Sequence, residues 1–382
     1  MQAQDLRDPR FMERAQAGFT DIYNFDYAQA RQVFASLERE YPQHPAPPLY
    51  QACILWLEEM LRRQDLSLNR FVYPSYFSVK PKQEMPPQER DAFFRHIQKC
   101  ETLADAILKK NSDDKDGRYF LGTSYGLRSS FAITIDHSLR SAYANGTKAY
   151  EITRQLTQED PDYYDAYLTV GIYEYIVGSI PWYLKWMAFM VGARGDKEKG
   201  LEHLRLAAEK GQYVKNEALL VQMVLNVREQ RYAQALQIAQ DLSRRFPRNF
   251  LFALSEAQIS RLAGQKDQAV AMFLQVEKRV EAGEPNFDKI SSRSFRYDLG
   301  RELMDMGKLD LAQDRFLKAI GDPQTPARER ALSHLKLGRI LEWRGKKNEA
   351  VKEYQTVLSQ ADVENSHDQA RQYLNKLGYK YD

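Results

Sequence analysis

Two stretches near the C-terminal end, LGRELMDMGKLDLAQDRFLKA (299–319) and LGRILEWRGKKNEAVKEYQTV (337–357), align without a gap. In the first, Gly300 is followed by Ala312, Phe316 and Ala319. In the second, Gly338 is followed by Ala350, Tyr354 and Val357. The alanine, the ring and the next apolar residue share one face of a helix. The glycine belongs to the helix before it, and two helices approach closely only where the contact residues are small. A pattern of this kind returning about every 34 residues marks helix–turn–helix units that bury their apolar faces only by stacking. Stacked arrays of this sort build surfaces for partners more often than active sites.

The register continues through the chain. The first unit reads Gly18, Ala30, Phe34 and Leu37, with Pro42 where the second helix should stop. Ala52 opens the second unit on an apolar helix, and its partner helix is delayed to DAFFRHIQKCETLADAILKK (91–110), with Cys100, Ala104 and Ile107 in register. The third pairs Gly122 and Tyr125 with Gly146 and Tyr150. The fourth pairs Gly171 with Gly200, Leu204 and Ala207. The fifth reads Met223, Ala235, Ala239, Leu242 and Pro247, and the sixth Ala257, Gly264, Ala269, Phe273 and Val276. HDQARQYLNKLG (367–378) reads as a helix that covers the last apolar face. The expectation is all-α: a right-handed superhelical α-solenoid of about eight helix pairs, continuous from end to end. Residues 1–10 form a tail. Residues 11–211 hold the first four pairs, with insertions near 62–90, 127–141 and 177–194. Residues 212–364 hold four uninterrupted pairs, and 365–382 the covering helix and a tail.

The pattern resembles the tetratricopeptide repeat, whose consensus has small residues at these points and a proline near the end of the second helix. The resemblance spans nearly the whole chain and is strongest in units one and five to eight. The consensus Trp of the first helix is absent. Around residues 164–210 a narrower resemblance rests on Pro181, Gly192, Gly195, Asp196, Gly200 and Leu201. It is to the eukaryotic tetratricopeptide-repeat family implicated in inclusion-body clearance and associated with lipid droplets or the mitochondrial outer membrane. That resemblance implies an adaptor without catalysis, placed near a membrane.

Composition narrows the function. Across 382 residues, 55 Lys and Arg face 52 Asp and Glu, a net charge of +3 that argues against a dedicated nucleic-acid binder. Cys53 and Cys100 fall at packing positions and read as buried free thiols. The start, MQAQDLRDPRF, lacks an apolar segment of the kind that directs secretion. As numbered, the chain reads as cytoplasmic, or as exported if its beginning was trimmed. No phosphate loop, dinucleotide fingerprint, zinc helix or nucleophile elbow occurs, and the six His are scattered. The neighbouring Glu58 and Glu59 read as a solvated helix edge. No catalytic residue, cofactor or metal site is expected.

The insertions carry the individuality. The first, RRQDLSLNRFVYPSYFSVKPKQEMPPQER (62–90), mixes Phe71, Tyr73, Tyr76 and Phe77 with Arg70, Lys80 and Lys82, and its prolines exclude a continuous helix. It reads as a loop packed over the solenoid or a lid over its groove. The second contains Asp136, His137 and Ser138. Adjacent residues on a helix diverge, so this is an extension of the helices and not a triad. The third runs from Ile176 to Val191 with Lys185 as its one charge, and carries Trp182, Tyr183, Trp186 and Phe189. It is shorter than the roughly 20 apolar residues a bilayer crossing needs, and Pro181 breaks it. A buried helix, a partner patch and a foot at a membrane interface all remain open for it.

First helices line the inner face of such an array. Residues one and four past the glycine position then give Ile172 and Tyr175, Val224 and Val227, Gln258 and Arg261, Arg301 and Met304, and Arg339 and Glu342, with Tyr297 one turn before Arg301; the Arg either face a ligand or are solvated or paired with Glu342 and its neighbours. The groove reads as apolar in its middle, with three Arg in its C-terminal half, and Arg suits carboxylates. The expected function is a non-catalytic interaction scaffold that binds a peptide or protein there. The alternative is a peripheral membrane adaptor using residues 176–191. The expected partner is a protein or peptide, with no nucleic acid and no transmembrane helix.

Overall fold

Helices here start and stop on local signals. Pro9 opens the first helix, and the Asp8 carboxylate accepts the Arg10 N–H at 2.9 Å. Asp114, Asp196 and Asn249 cap later helices in the same way. The turn from first to second helix needs a left-handed residue. Gly264, Gly307 and Gly345 supply it at φ of 81°, 78° and 74°. Phe25 and Gln230 take the same place in the first and fifth pairs.

The computed structural model describes residues 6–72, 84–180 and 195–379. Regular structure among them is helical throughout. The chain forms two compact units, Met1–Pro247 and Arg248–Asp382. In the first, Pro9–Tyr23 packs with Tyr27–Glu40, and Ala46–Arg62 with Pro87–Lys110. Lys115–Thr134 packs with Leu139–Glu159, Tyr167–Gly178 with Lys197–Lys210, and Lys215–Arg228 with Tyr232–Arg245. In the second, Phe250–Leu262 packs with Lys266–Glu281, Ser292–Asp305 with Leu309–Gly321, and Ala327–Trp343 with Lys347–Leu358. Ser366–Lys376 covers the last pair. Within each unit, every second helix also packs on the next first helix. This is the expected all-α solenoid of helix pairs.

The glycine contact appears where the register puts it. A Cβ at Gly18 would stand 2.7 Å from the Phe34 ring, at Gly300 2.6 Å from Phe316, and at Gly338 2.5 Å from Tyr354. All three rings are fully buried, as are Ala30, Ala235, Ala269, Ala312 and Ala350. At Gly122 the obstacle is the Thr153 methyl, at 2.9 Å. The fourth pair is tighter still. A Cβ at Gly171 would lie 2.9 Å from Gly200 O, and one at Gly200 would lie 2.5 Å from Tyr175 N. Gly195 stands in the same relation to Gly178 N and Glu174 O. Here backbone packs on backbone.

Residues 127–141 extend the helices, as expected: Lys115–Thr134 and Leu139–Glu159 lengthen to absorb them, joined by the Ser129 hydroxyl donating to Ala142 O at 2.7 Å. Glu59 is not a solvated edge but fully buried, accepting from Arg62 and Arg63, while Glu58 pairs with Arg31. In the first insertion, Leu68–Val72 is a short helix and the next helix already begins at Pro87. Tyr73, Tyr76, Phe77, Lys80, Lys82, Pro181, Trp182, Tyr183, Trp186, Phe189 and Gly192 lie outside the described residues. Among the described residues no helix is long and apolar enough to cross a membrane.

Gly200→Ala has only backbone to push against, so it should destabilise the protein by about 1–3 kcal/mol. Urea unfolding followed by circular dichroism measures this. Gly321→Ala, where nothing lies within 4 Å, should leave the midpoint unchanged or raised.

Candidate functional site

The N-terminal unit binds its own beginning to its fifth helix pair. The Tyr213 hydroxyl donates to the Leu6 carbonyl at 2.9 Å. His44 Nδ1 accepts the Ala46 N–H, so its Nε2 carries a proton and donates to the same carbonyl at 3.0 Å. Arg7 reaches Asp116 and Asp165, and Asp165 also accepts the N–H groups of Gln212, Tyr213 and Val214. Ring contacts join Phe19 and Phe120 to Tyr213, and Tyr23 to Phe246.

The helix Lys215–Arg228 packs on Leu68–Val72 and on Tyr167–Gly178. Burial pushes the hydroxyls of Tyr23, Tyr50 and Tyr119 and the thiol of Cys53 upward, and the Glu217 carboxylate adds to the shift in all four. Those residues belong to the first helices of pairs one, two and three, so Glu217 faces the wall expected to be a groove. Tyr175 is 1% exposed and donates to Glu229 at 2.7 Å, and Val227 is 4% exposed. Ile172 packs beside the cluster of Tyr175, Leu204 and Leu225. Tyr175 and Val227 are therefore core residues and not lining. Val224, on the same helix as Val227, is half-buried.

The wall of first helices in the C-terminal unit is different. Arg261 pairs with Glu302 at 2.9 Å. Tyr297 is only 2% exposed, with the guanidinium groups of Arg301 and Arg328 5.8 and 6.0 Å from its ring centre. It is a buried platform rather than a contact residue. Arg339 pairs with Glu342 at 3.0 Å and stands over Tyr373 and Trp343. Trp343 is 52% exposed. Gln258 and Met304 are half-buried on the same helices.

Lys336 was not among the expected residues, yet it belongs to this group. It lies three residues before Arg339 and so on the same helix face. Burial pulls its ammonium down, and repulsion from Arg301 and Arg339 adds to this against the pull of Asp305 and Glu364. Neither Arg301 nor Lys336 has an ion pair among the described residues. Burial pushes the nearby carboxyls of Asp298 and Glu302 up, against the pull of Arg301. The wall can therefore receive carboxylates, two-pronged at Arg301 and as a point charge at Lys336.

The other candidates have structural duties. Asp136 pairs with Arg90, and the Ser138 hydroxyl caps the helix Leu139–Glu159. Cys53 and Cys100 are buried free thiols.

Glu217 generates a test. Burial, with the Asp165 charge, pushes its carboxyl from an ordinary 4.5 up to about 7. The folded state keeps the proton longer than the unfolded state. The stabilisation is then present in full at low pH and lost as pH rises from the ordinary value through about 7. The melting temperature should fall between these limits in the wild type, and Glu217→Gln should flatten that fall. Equal pH profiles for the two would contradict it.

A family model for the tetratricopeptide repeat matches residues 297–366, which include Arg301, Lys336 and Arg339. No curated protein sequence matches the chain. Among solved structures, a human IFIT1 dimer with m7Gppp-AAAA is 13% identical with a TM-score of 0.40, over 98% of this chain and 86% of that one. Yeast Tom70 is 13% identical with a TM-score of 0.35, over 97% and 89%. A thermophilic tetratricopeptide-repeat protein of Thermus thermophilus is 17% identical with a TM-score of 0.21, over 64% and 92%. Scores this low transfer nothing about ligands. The family model shows tetratricopeptide repeats within residues 297–366, and the same glycine-against-ring contact returns at Gly18 and Phe34.

Proposed function

We propose that the chain is an interaction scaffold that holds an extended acidic segment of a partner protein against the first-helix wall of its C-terminal unit. The observation that carries this reading is the pair Arg301 and Lys336, two cations without ion-pair partners among the described residues, on adjacent first helices. Arg339 and the half-exposed Trp343 stand beside them. Cations left unneutralised on a partly buried wall gain most from an incoming carboxylate, since charge-assisted hydrogen bonds outweigh neutral ones. An extended peptide offers carboxylates at intervals that follow successive helices. In the N-terminal unit, Glu217 of the helix Lys215–Arg228 lies near enough to the first helices of pairs one to three to act on Tyr23, Tyr50 and Tyr119, which favours the C-terminal wall as the receiving face.

The test is fluorescence anisotropy with a labelled peptide rich in Asp and Glu beside one of reversed charge. The acidic peptide should bind, and added salt should weaken it. Arg301→Ala and Lys336→Ala should each raise its Kd by about 10- to 100-fold. Equal binding of both peptides, or unchanged affinity in both variants, would overturn the proposal.

A further inference from the structure

The seam that closes the N-terminal unit contains a cavity of about 340 Å³. It lies where the first helix meets the loop before Lys215–Arg228 and the end of Tyr232–Arg245. Phe19 forms one side of it, and Gln16, Gln212, Lys215, Asn216 and Arg245 supply its polar lining. Nothing in the proposed binding at the C-terminal wall uses this site.

The lining is cationic and rich in donors. Arg245 is anchored rather than loose. Its Nη1 donates to the Asn216 side-chain oxygen at 2.6 Å, and its Nε stands 2.8 Å from Asp241 Oδ2. Its Nη2 is buried and makes no hydrogen bond among the described residues. A buried guanidinium N–H without an acceptor is costly, and its cost is relieved by an oxygen placed in the adjoining space. Lys215 is exposed at the rim and forms no ion pair among the described residues. Side-chain amides at Gln16 and Gln212 offer further N–H groups. The volume exceeds what a bare oxyanion fills and lies in the range of small-molecule sites. The buried Phe19 ring gives an organic body an apolar surface to lie on.

We propose that this cavity binds a small organic oxyanion, its phosphate or carboxylate against Arg245 and Lys215 and its carbon skeleton against Phe19. Occupation would tie the first helix to the fifth pair, so the ligand would brace the closure made by Leu6 and Tyr213.

The test is isothermal titration of the full chain with inorganic phosphate, citrate and phenyl phosphate, each at constant ionic strength. Phenyl phosphate should bind saturably and about tenfold more tightly than phosphate alone, because part of its ring leaves water. Comparing citrate with phosphate tells a carboxylate site from a phosphate site. Lys215→Gln, a change at an exposed side chain, should weaken binding at least about tenfold. Arg245→Lys should do the same while circular dichroism reports an intact fold. No saturable heat with any probe, or equal affinity in wild type and Lys215→Gln, would overturn the proposal.

Discussion

Everything in this chain depends on how closely two helices of a pair can approach. A bulky side chain at the crossing point would hold the axes apart, and at Gly18, Gly122, Gly171, Gly300 and Gly338 the crossing point has none. At Gly18, Gly300 and Gly338 the vacated space is taken by a ring of the second helix. In the fourth pair it is taken by the other backbone, through Gly171, Gly178, Gly195 and Gly200. With the pair closed, the alanines of the second helix meet the next first helix, and the apolar stripe is buried from both sides. Neither helix of a pair could bury its stripe alone, so stability is shared between neighbours.

The N-terminal unit adds a second constraint. One carbonyl, that of Leu6, accepts from both His44 and Tyr213, residues far apart in sequence. Asp165 gathers three backbone N–H groups and Arg7 at the same seam. These bonds fix the loop before the helix Lys215–Arg228, whose Glu217 acts on the first helices of pairs one to three. The C-terminal unit carries no such helix among its described residues. Its wall keeps two cations, Arg301 and Lys336, that no described carboxylate pairs with. The division of labour proposed for the two units follows from that difference.

Much of the fold was legible because its decisive contacts are close in sequence. Gly300 meets Phe316 and Gly338 meets Tyr354 within one helix pair, and a periodic pattern records such contacts directly. What the pattern does not encode is contact between distant segments. Tyr175 and Val227 looked like lining residues because repeat geometry puts them inward, but both are buried, Tyr175 against Leu204 and Leu225. Glu59 looked solvated until Arg63, one turn on, closed over it. Lys336 was readable, since it stands three residues before Arg339. It precedes the glycine position of its repeat, whereas the inward residues were expected after it. Gly195 and Gly200, noticed for a family resemblance, have a packing duty that accounts for their being glycine.

The central claim is that partners meet the C-terminal wall while the N-terminal wall stays occupied by its own chain. Hydrogen–deuterium exchange of the full chain, with and without a bound acidic peptide, tests it most directly. The account predicts added protection in Ser292–Asp305 and Ala327–Trp343, with the exchange of Ala46–Arg62 and Lys115–Thr134 unchanged. Protection appearing in those N-terminal first helices instead, with the C-terminal wall unaffected, would contradict it.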